Sequence, residues 1–166
     1  FLQRSYDQIL NDTSIIGNHI VLAIDRAGIV PDDGETHQGI FDVPFLTTIP
    51  HVTIYAPFNF AELEINLKQA LYDVKGIAAV RYPKGGELPC PAGYVPNFKP
   101  YTYLRSGKKA VLLITYGRIF ANVLSAAKEL LRQGLPVSVL KLTRIHPLDE
   151  ECVQIARRYS HVLFFE

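Results

Sequence analysis

The chain has 166 residues, 48% of them apolar and 20% charged, with 17 basic side chains against 16 acidic ones. That length suits one well-buried domain, or one domain and part of another, and the near-balance of charge gives no footing for nucleic acid or an anionic membrane. No stretch approaches the roughly 18 consecutive apolar residues of a membrane span, and the opening FLQRSYDQIL lacks a signal-peptide layout, so a cytoplasmic location is expected. Cys90 and Cys152 stand far apart with no CxxC spacing, which argues against a disulfide framework or a zinc site. The chain begins at Phe1, contains no Met and ends on HVLFFE; it reads as a piece of a longer protein.

From Phe1 to about Ile15, Leu2, Tyr6, Ile9 and Leu10 follow helical spacing, with Gly17 as terminator. His19 to Asp25 is an apolar run too short for a helix and reads as a buried strand. After a loop, DVPFLTTI suits one or two helical turns, and HVTIYAP is a second strand stopped by Pro57. Asn59 is placed to cap a helix that carries Leu63, Leu67, Ala70 and Leu71 on one face. Gly76 closes it, and IAAVRYP is a third strand.

Residues 83–108 are rich in proline and glycine and read as an extended linker between a unit at 1–82 and a second one at 109–166. The second unit offers strand AVLLITYG, helix IFANVLSAAKELLRQG ending at Gly134, strand PVSVLKL, helix LDEECVQIARRY and strand HVLFFE. Strands alternating with helices predict an α/β fold with a parallel sheet, followed by part of a second α/β domain. In such sheets the working loops lie at the carboxyl ends of the strands. Two segments begin there: DRAGIVPDDGETHQG, from Asp25 to Gly39, and RYPKGG, from Arg81 to Gly86.

Arg26 and Arg81 each present a planar fork of donors suited to phosphate or carboxylate, and together would make an anion clamp, unless each is spent on a neighbouring Asp. His37, close to Gly34 and Gly39, could move a proton or donate to a developing oxyanion, or simply hydrogen-bond its own loop. Asp32, Asp33 and Glu35 lack the spacing of a calcium loop and read as solvated acids, so no metal site is expected within the chain. Phe1 and Arg4 share a helical face, which would offer an aromatic ring and a guanidinium to a flat heteroaromatic ligand, or bury the Phe and expose the Arg.

Three segments in order, FLQRSYDQ at 1–8, DRAGIVPDDGETHQGIFD at 25–42 and AAVRYPKG at 78–85, resemble the 1-deoxy-D-xylulose-5-phosphate synthases of the transketolase superfamily. The resemblance implies a transketolase-type pyrimidine-binding domain followed by part of the C-terminal domain. It implies thiamine diphosphate as cofactor, with Phe1 stacked on the aminopyrimidine ring and Arg4 beside it, and His37 as the catalytic residue near the reacting carbon. Arg26, Arg81 and Asp33 would meet the phosphate of glyceraldehyde 3-phosphate, which condenses with pyruvate to give deoxyxylulose phosphate and carbon dioxide, the first step of non-mevalonate isoprenoid synthesis. The catalytic Glu and the diphosphate and Mg²⁺ site of such enzymes would lie outside these residues. A chain of this extent is therefore expected to be inactive alone and to work within a homodimer. Another transketolase-type enzyme with a different donor, and a non-catalytic module of the same fold, are the alternative expectations.

Overall fold

The computed structural model describes residues 2–107 and 110–166. Phe1 and the expected boundary at 108–109 lie outside them. Leu2–Ser5 forms a 3-10 turn and Gln8–Ile15 a wide π-type helix, where regular helical spacing is predicted. Then follow β1 (Ile20–Ile24), α1 (Asp42–Leu46), β2 (Val52–Tyr55), α2 (Phe60–Tyr72) and β3 (Ile77–Arg81). β3 runs parallel to β1 on one side and β2 on the other. Its whole length is buried, as expected of a central parallel strand covered on both faces.

The second unit contains β4 (Tyr101–Leu104), β5 (Val111–Tyr116), α3 (Phe120–Arg132), β6 (Val137–Leu142), β7 (Arg144–His146), α4 (Glu150–Ala156) and β8 (His161–Phe165). Among the described residues its sheet has the order β4-β6-β5-β8, with β4 antiparallel and the rest parallel. The α/β class and the predominance of parallel strands agree with the reading from sequence.

Three local readings are corrected. The 83–108 stretch is not linker throughout, because YTYL at 101–104 pairs with β6 from Leu142 back to Val139. Its aromatic and β-branched residues suit a strand, but the prolines before it hide the signal. The three-residue strand β7, too short to show a period, leaves the second unit to pair antiparallel with β2 and completes the first sheet in the order β1-β3-β2-β7. In α2 the most buried line is Glu62, Asn66 and Ala70, not the predicted leucine face. Leu63 and Leu67 flank it, and Leu71 is exposed.

The buried Glu62 explains that rotation. Asn59 Oδ1 accepts from the Glu62 backbone N–H at 2.9 Å, the cap expected at this helix start. The Glu62 carboxylate turns inward, where both oxygens lie 2.6 Å from Nζ of Lys141 on β6. Phe58 N–H donates to it at 2.8 Å, Tyr94 O–H donates to it as well, and Lys141 also donates to Thr143 Oγ1 at 2.9 Å. Phe58, Tyr94 and Phe120 pack edge-on and tilted around this centre. The junction of the two units is thus a polar knot inside an aromatic sleeve, with every charge partnered as burial demands.

Candidate functional site

The carboxyl ends of β1 and β3 carry the site. β1 stops at Ile24, and the chain turns at Arg26, whose φ of 57° is a left-handed value that a side chain with a Cβ rarely adopts. The following loop leaves and returns through a neck in which Gly28 N–H donates to Gly39 O at 3.1 Å and Gly39 N–H donates to Gly28 O at 2.9 Å. A Cβ on Gly39 would stand 2.1 Å from the Arg26 carbonyl oxygen, so only glycine fits there. Beyond the neck α1 begins.

Gln38 fills the inside of the loop. Its Oε1 accepts from Val30 N–H at 2.6 Å, and its Nε2 lies 3.2 Å from Val30 O and 3.3 Å from the carbonyls of Asp33 and Gly34. Residues that would otherwise need solvent to satisfy their backbone are thereby tied to one amide side chain. This anchoring role is not legible in sequence, where Gln38 is only the neighbour of His37.

Asp33 is the electrostatic centre. Its Oδ2 lies 2.7 Å from Arg26 Nε and its Oδ1 2.7 Å from Lys84 Nζ. The hydrogen bond from Lys84, then that from Arg26, holds the Asp33 carboxyl below the usual carboxylate range. Arg26 also contacts Asp25 at 2.5 Å, and its own ionisation is pushed up, chiefly by the hydrogen bond to Asp33. Sequence reasoning misses Lys84. Its signal was its place three residues past the end of β3, on the same sheet edge as Arg26.

Arg26 and Arg81 line different clefts. Arg26 lines a cleft of about 570 Å³ with His37, Leu2, Ser5, Ile24 and Asp42. Arg81 lines a second cleft, of about 490 Å³, between the carboxyl edges of the two sheets, with Lys84, Tyr116 and Arg118. Arg81 is only 4% exposed and donates to Gly39 O at 2.7 Å, with Asp42 Oδ2 3.4 Å away. Tyr116 donates to Glu166 across that cleft; burial, then Glu166, raises its pKa, while Arg81 opposes the rise.

His37 is half-buried, its backbone N–H donates to Gly34 O at 2.9 Å, and Thr36 Oγ1 lies 3.0 Å from its Nδ1. Arg4 is exposed on the 3-10 turn whose Leu2 and Ser5 line the His37 cleft. Phe1 lies outside the described residues. The structure thus gathers Arg26, Asp33 and Lys84, sets His37 in the same cleft as Arg26, and buries Arg81 behind them.

Residues 1–86 match the model of the transketolase pyrimidine-binding domain, and residues 101–166 that of the transketolase C-terminal domain. The chain belongs to the transketolase family. Among curated transketolase-family relatives it is 40% identical, over its whole length, to the 1-deoxy-D-xylulose-5-phosphate synthase of Chlorobaculum tepidum, of which it covers 27%. Over 90% of its length it is 42% identical to the synthase of Clostridium kluyveri, covering 24% of that protein. The chain therefore spans about a quarter of the length of these relatives. In three dimensions it superposes with a TM-score of 0.82 and 26% identity on a split-gene transketolase described as an inactive β4 tetramer, over 98% of this chain and 53% of that one. A transketolase variant from Pichia stipitis shares the transketolase fold at 16% identity, with a TM-score of 0.73 over 92% of this chain and 24% of that one.

Proposed function

We propose that this chain supplies the pyrimidine-binding and C-terminal parts of a 1-deoxy-D-xylulose-5-phosphate synthase, which joins pyruvate to glyceraldehyde 3-phosphate with loss of carbon dioxide. The Arg26–Asp33–Lys84 cluster beside His37 is the observation that carries this reading. Its support is chemical: two cations on the two oxygens of one carboxylate, Arg26 lining one cleft and Lys84 the neighbouring one, form a receptor that can exchange Asp33 for the oxygens of a phosphate. Lys84 joins Arg26 and Arg81, the two arginines assigned to that phosphate from sequence, and lines the same cleft as Arg81.

The cleft around His37 fits a flat nitrogen heterocycle. Leu2 and Ile24 give it apolar surface, and Ser5, Gln38 and Asp42 give it hydrogen-bonding edges. Leu2, Ser5 and Ile24 would hold the aminopyrimidine of thiamine diphosphate, together with Phe1 and Arg4 as the resemblance implies. When bound, that cofactor supplies the electron sink for breaking and making carbon–carbon bonds. The diphosphate and Mg²⁺ would be held by residues outside this chain, and the active assembly would be a homodimer.

The chain's own residues then do three things. Arg26 and Lys84 hold the acceptor by its phosphate, which converts binding energy into orientation of its aldehyde. Asp33 keeps the two cations in place before the substrate arrives. His37, oriented through Nδ1 by Thr36, passes a proton from Nε2 to the acceptor's carbonyl oxygen as charge develops there.

The test is made on the protein from the complete reading frame that encodes this chain, with thiamine diphosphate and Mg²⁺. Carbon dioxide release from pyruvate is followed with and without glyceraldehyde 3-phosphate, and the sugar is identified by mass spectrometry. Aldehyde-dependent release with deoxyxylulose phosphate as product is the expected result, and His37→Ala should lower kcat by about 100-fold. Release from another ketose donor, or none from any, would overturn the assignment. The isolated 166-residue chain should show no Mg²⁺-dependent binding of thiamine diphosphate by calorimetry.

A further inference from the structure

Two strand ends of the second sheet open on the cleft that holds Arg81 and Lys84. β5 stops at Tyr116, and a 3-10 turn, Gly117–Ile119, leads from it into α3 with no side-chain cap on its start. β8 stops at Phe165, one residue before Glu166. Tyr116, Arg118 and Glu166 therefore face the cleft from the second unit, while Arg81 and Lys84 face it from the first. Carboxyl ends of parallel strands are where α/β sheets gather their ligands, and here two sheets supply them to one space.

Charge singles out Arg118. Its Nη1 donates to the Lys84 carbonyl at 3.3 Å and lies 3.8 Å from where a Cβ on Gly85 would stand, so the guanidinium runs along the 81–86 segment. Arg81 and Lys84 each face a carboxylate, Asp42 and Asp33 respectively. Among the described residues no carboxylate pairs with Arg118, and Glu166, which also lines the cleft, accepts from Tyr116. The rest of its donor fork is uncommitted beside two further cations, and the uncapped N–H groups of the 117–119 turn add to the same positive field.

We infer that Arg118 is a specificity-determining residue of the acceptor site: from the second unit it donates to the phosphate that Arg81 and Lys84 meet from the first. The preference for a phosphorylated acceptor is then set by both units, and the second unit is part of the site as well as its support. A planar fork held at one end by a backbone carbonyl keeps donors free for phosphate oxygens at its other end. The identity of the acceptor rests on the function proposed above; a phosphate-binding cleft completed by Arg118 does not.

The test uses the protein from the complete reading frame with thiamine diphosphate and Mg²⁺. Arg118 is exposed, so its substitution leaves the core untouched. Arg118→Gln should raise the KM for glyceraldehyde 3-phosphate by about tenfold, with kcat and the KM for pyruvate nearly unchanged. With unphosphorylated glyceraldehyde as acceptor kcat/KM should not move, and Arg118→Lys, which keeps the charge, should show a smaller rise. In calorimetry, glycerol 3-phosphate, which cannot react, should bind Arg118→Gln about tenfold more weakly. Because Arg118 also holds the Lys84 carbonyl, the substitution is repeated in a Lys84→Ala background. A further rise in KM there supports direct contact, whereas none makes Arg118 a prop for Lys84 and overturns the inference. Equal losses with both acceptors, or an unaltered affinity for glycerol 3-phosphate, would overturn it as well. If the unmutated protein shows no synthase activity while Arg118→Gln still weakens glycerol 3-phosphate, the functional reading fails and the phosphate site stands. Synthase activity that Arg118→Gln leaves unchanged removes the inference alone.

Discussion

Glu62 with Lys141 and Asp33 with Arg26 and Lys84 are both carboxylates gripped by cations, yet the first pair is sealed from water and the cations of the second are partly open to it. The side chains of Lys141 and Glu62 are 0% and 1% exposed, and the ammonium lies 5.5 Å from the ring centre of Tyr94 and 5.7 Å from that of Phe120. Burial pulls the Lys141 pKa down, and Glu62 opposes the shift. The side chains of Arg26 and Lys84 are 37% and 45% exposed. A charge pair sealed from water can only hold two elements in one arrangement, because nothing outside can compete for either partner. A pair open to water is worth little to stability and is available for exchange with an incoming anion. The same chemistry thus fastens the two units together in one place and leaves a water-accessible charge cluster in the other.

The comparison breaks first, if it is wrong, at the buried pair. Lys141→Met should cost about 3–5 kcal/mol in urea unfolding, because Glu62 is left charged and uncompensated. Adding Glu62→Gln should recover part of that loss, since no buried charge remains and the amide oxygen can still accept from one of the two donors, Phe58 N–H or Tyr94 O–H. A loss for Lys141→Met no larger than that for Lys84→Ala would erase the distinction.

The exposed cluster should show its effect in binding. Lys84→Ala should change unfolding free energy by less than about 1 kcal/mol. In steady-state kinetics on the complete protein it should raise the KM for glyceraldehyde 3-phosphate by about tenfold and that for pyruvate far less. The effect should shrink with added salt, which screens exposed charges.

The smallest effect is in acid. Asp33 has a folded-state pKa depressed by Lys84 and Arg26. Its contribution to stability is therefore present above the unfolded value of about 3.9 and is lost as pH falls through the folded one. Asp33→Asn should be slightly less stable than the parent at neutral pH, and the difference should shrink below that unfolded value and vanish once pH has fallen through the folded one. A difference that stays constant down to the acid limit would show that Asp33 is not held by its cations.

Much of this was legible in the chain. Ile77 to Val80 announce a central strand because a parallel strand covered on both faces must be apolar throughout, and Asn59 announces a helix start because its side chain can satisfy an orphan N–H. Such signals depend on neighbours a few residues away. By the same token His37 and the Arg26 loop could be picked out as chemistry at a strand end. Their partners could not. Lys84 is joined to Asp33 across 51 positions of chain, and Lys141 to Glu62 across 79; no local period carries that information.

The sequence by itself determined the α/β class, the order of most strands and helices, and the edge of the first sheet on which the polar loops gather. These follow from hydrophobic period and end-signals, which are local properties. Only the tertiary structure decided that Arg81 turns inward to the loop neck, that Lys84 meets Arg26 on Asp33, and that β7 returns to the first sheet. A guanidinium or an ammonium on a long, flexible stem has several acids and carbonyls within reach, and which of them it meets is set by how the sheets and loops pack.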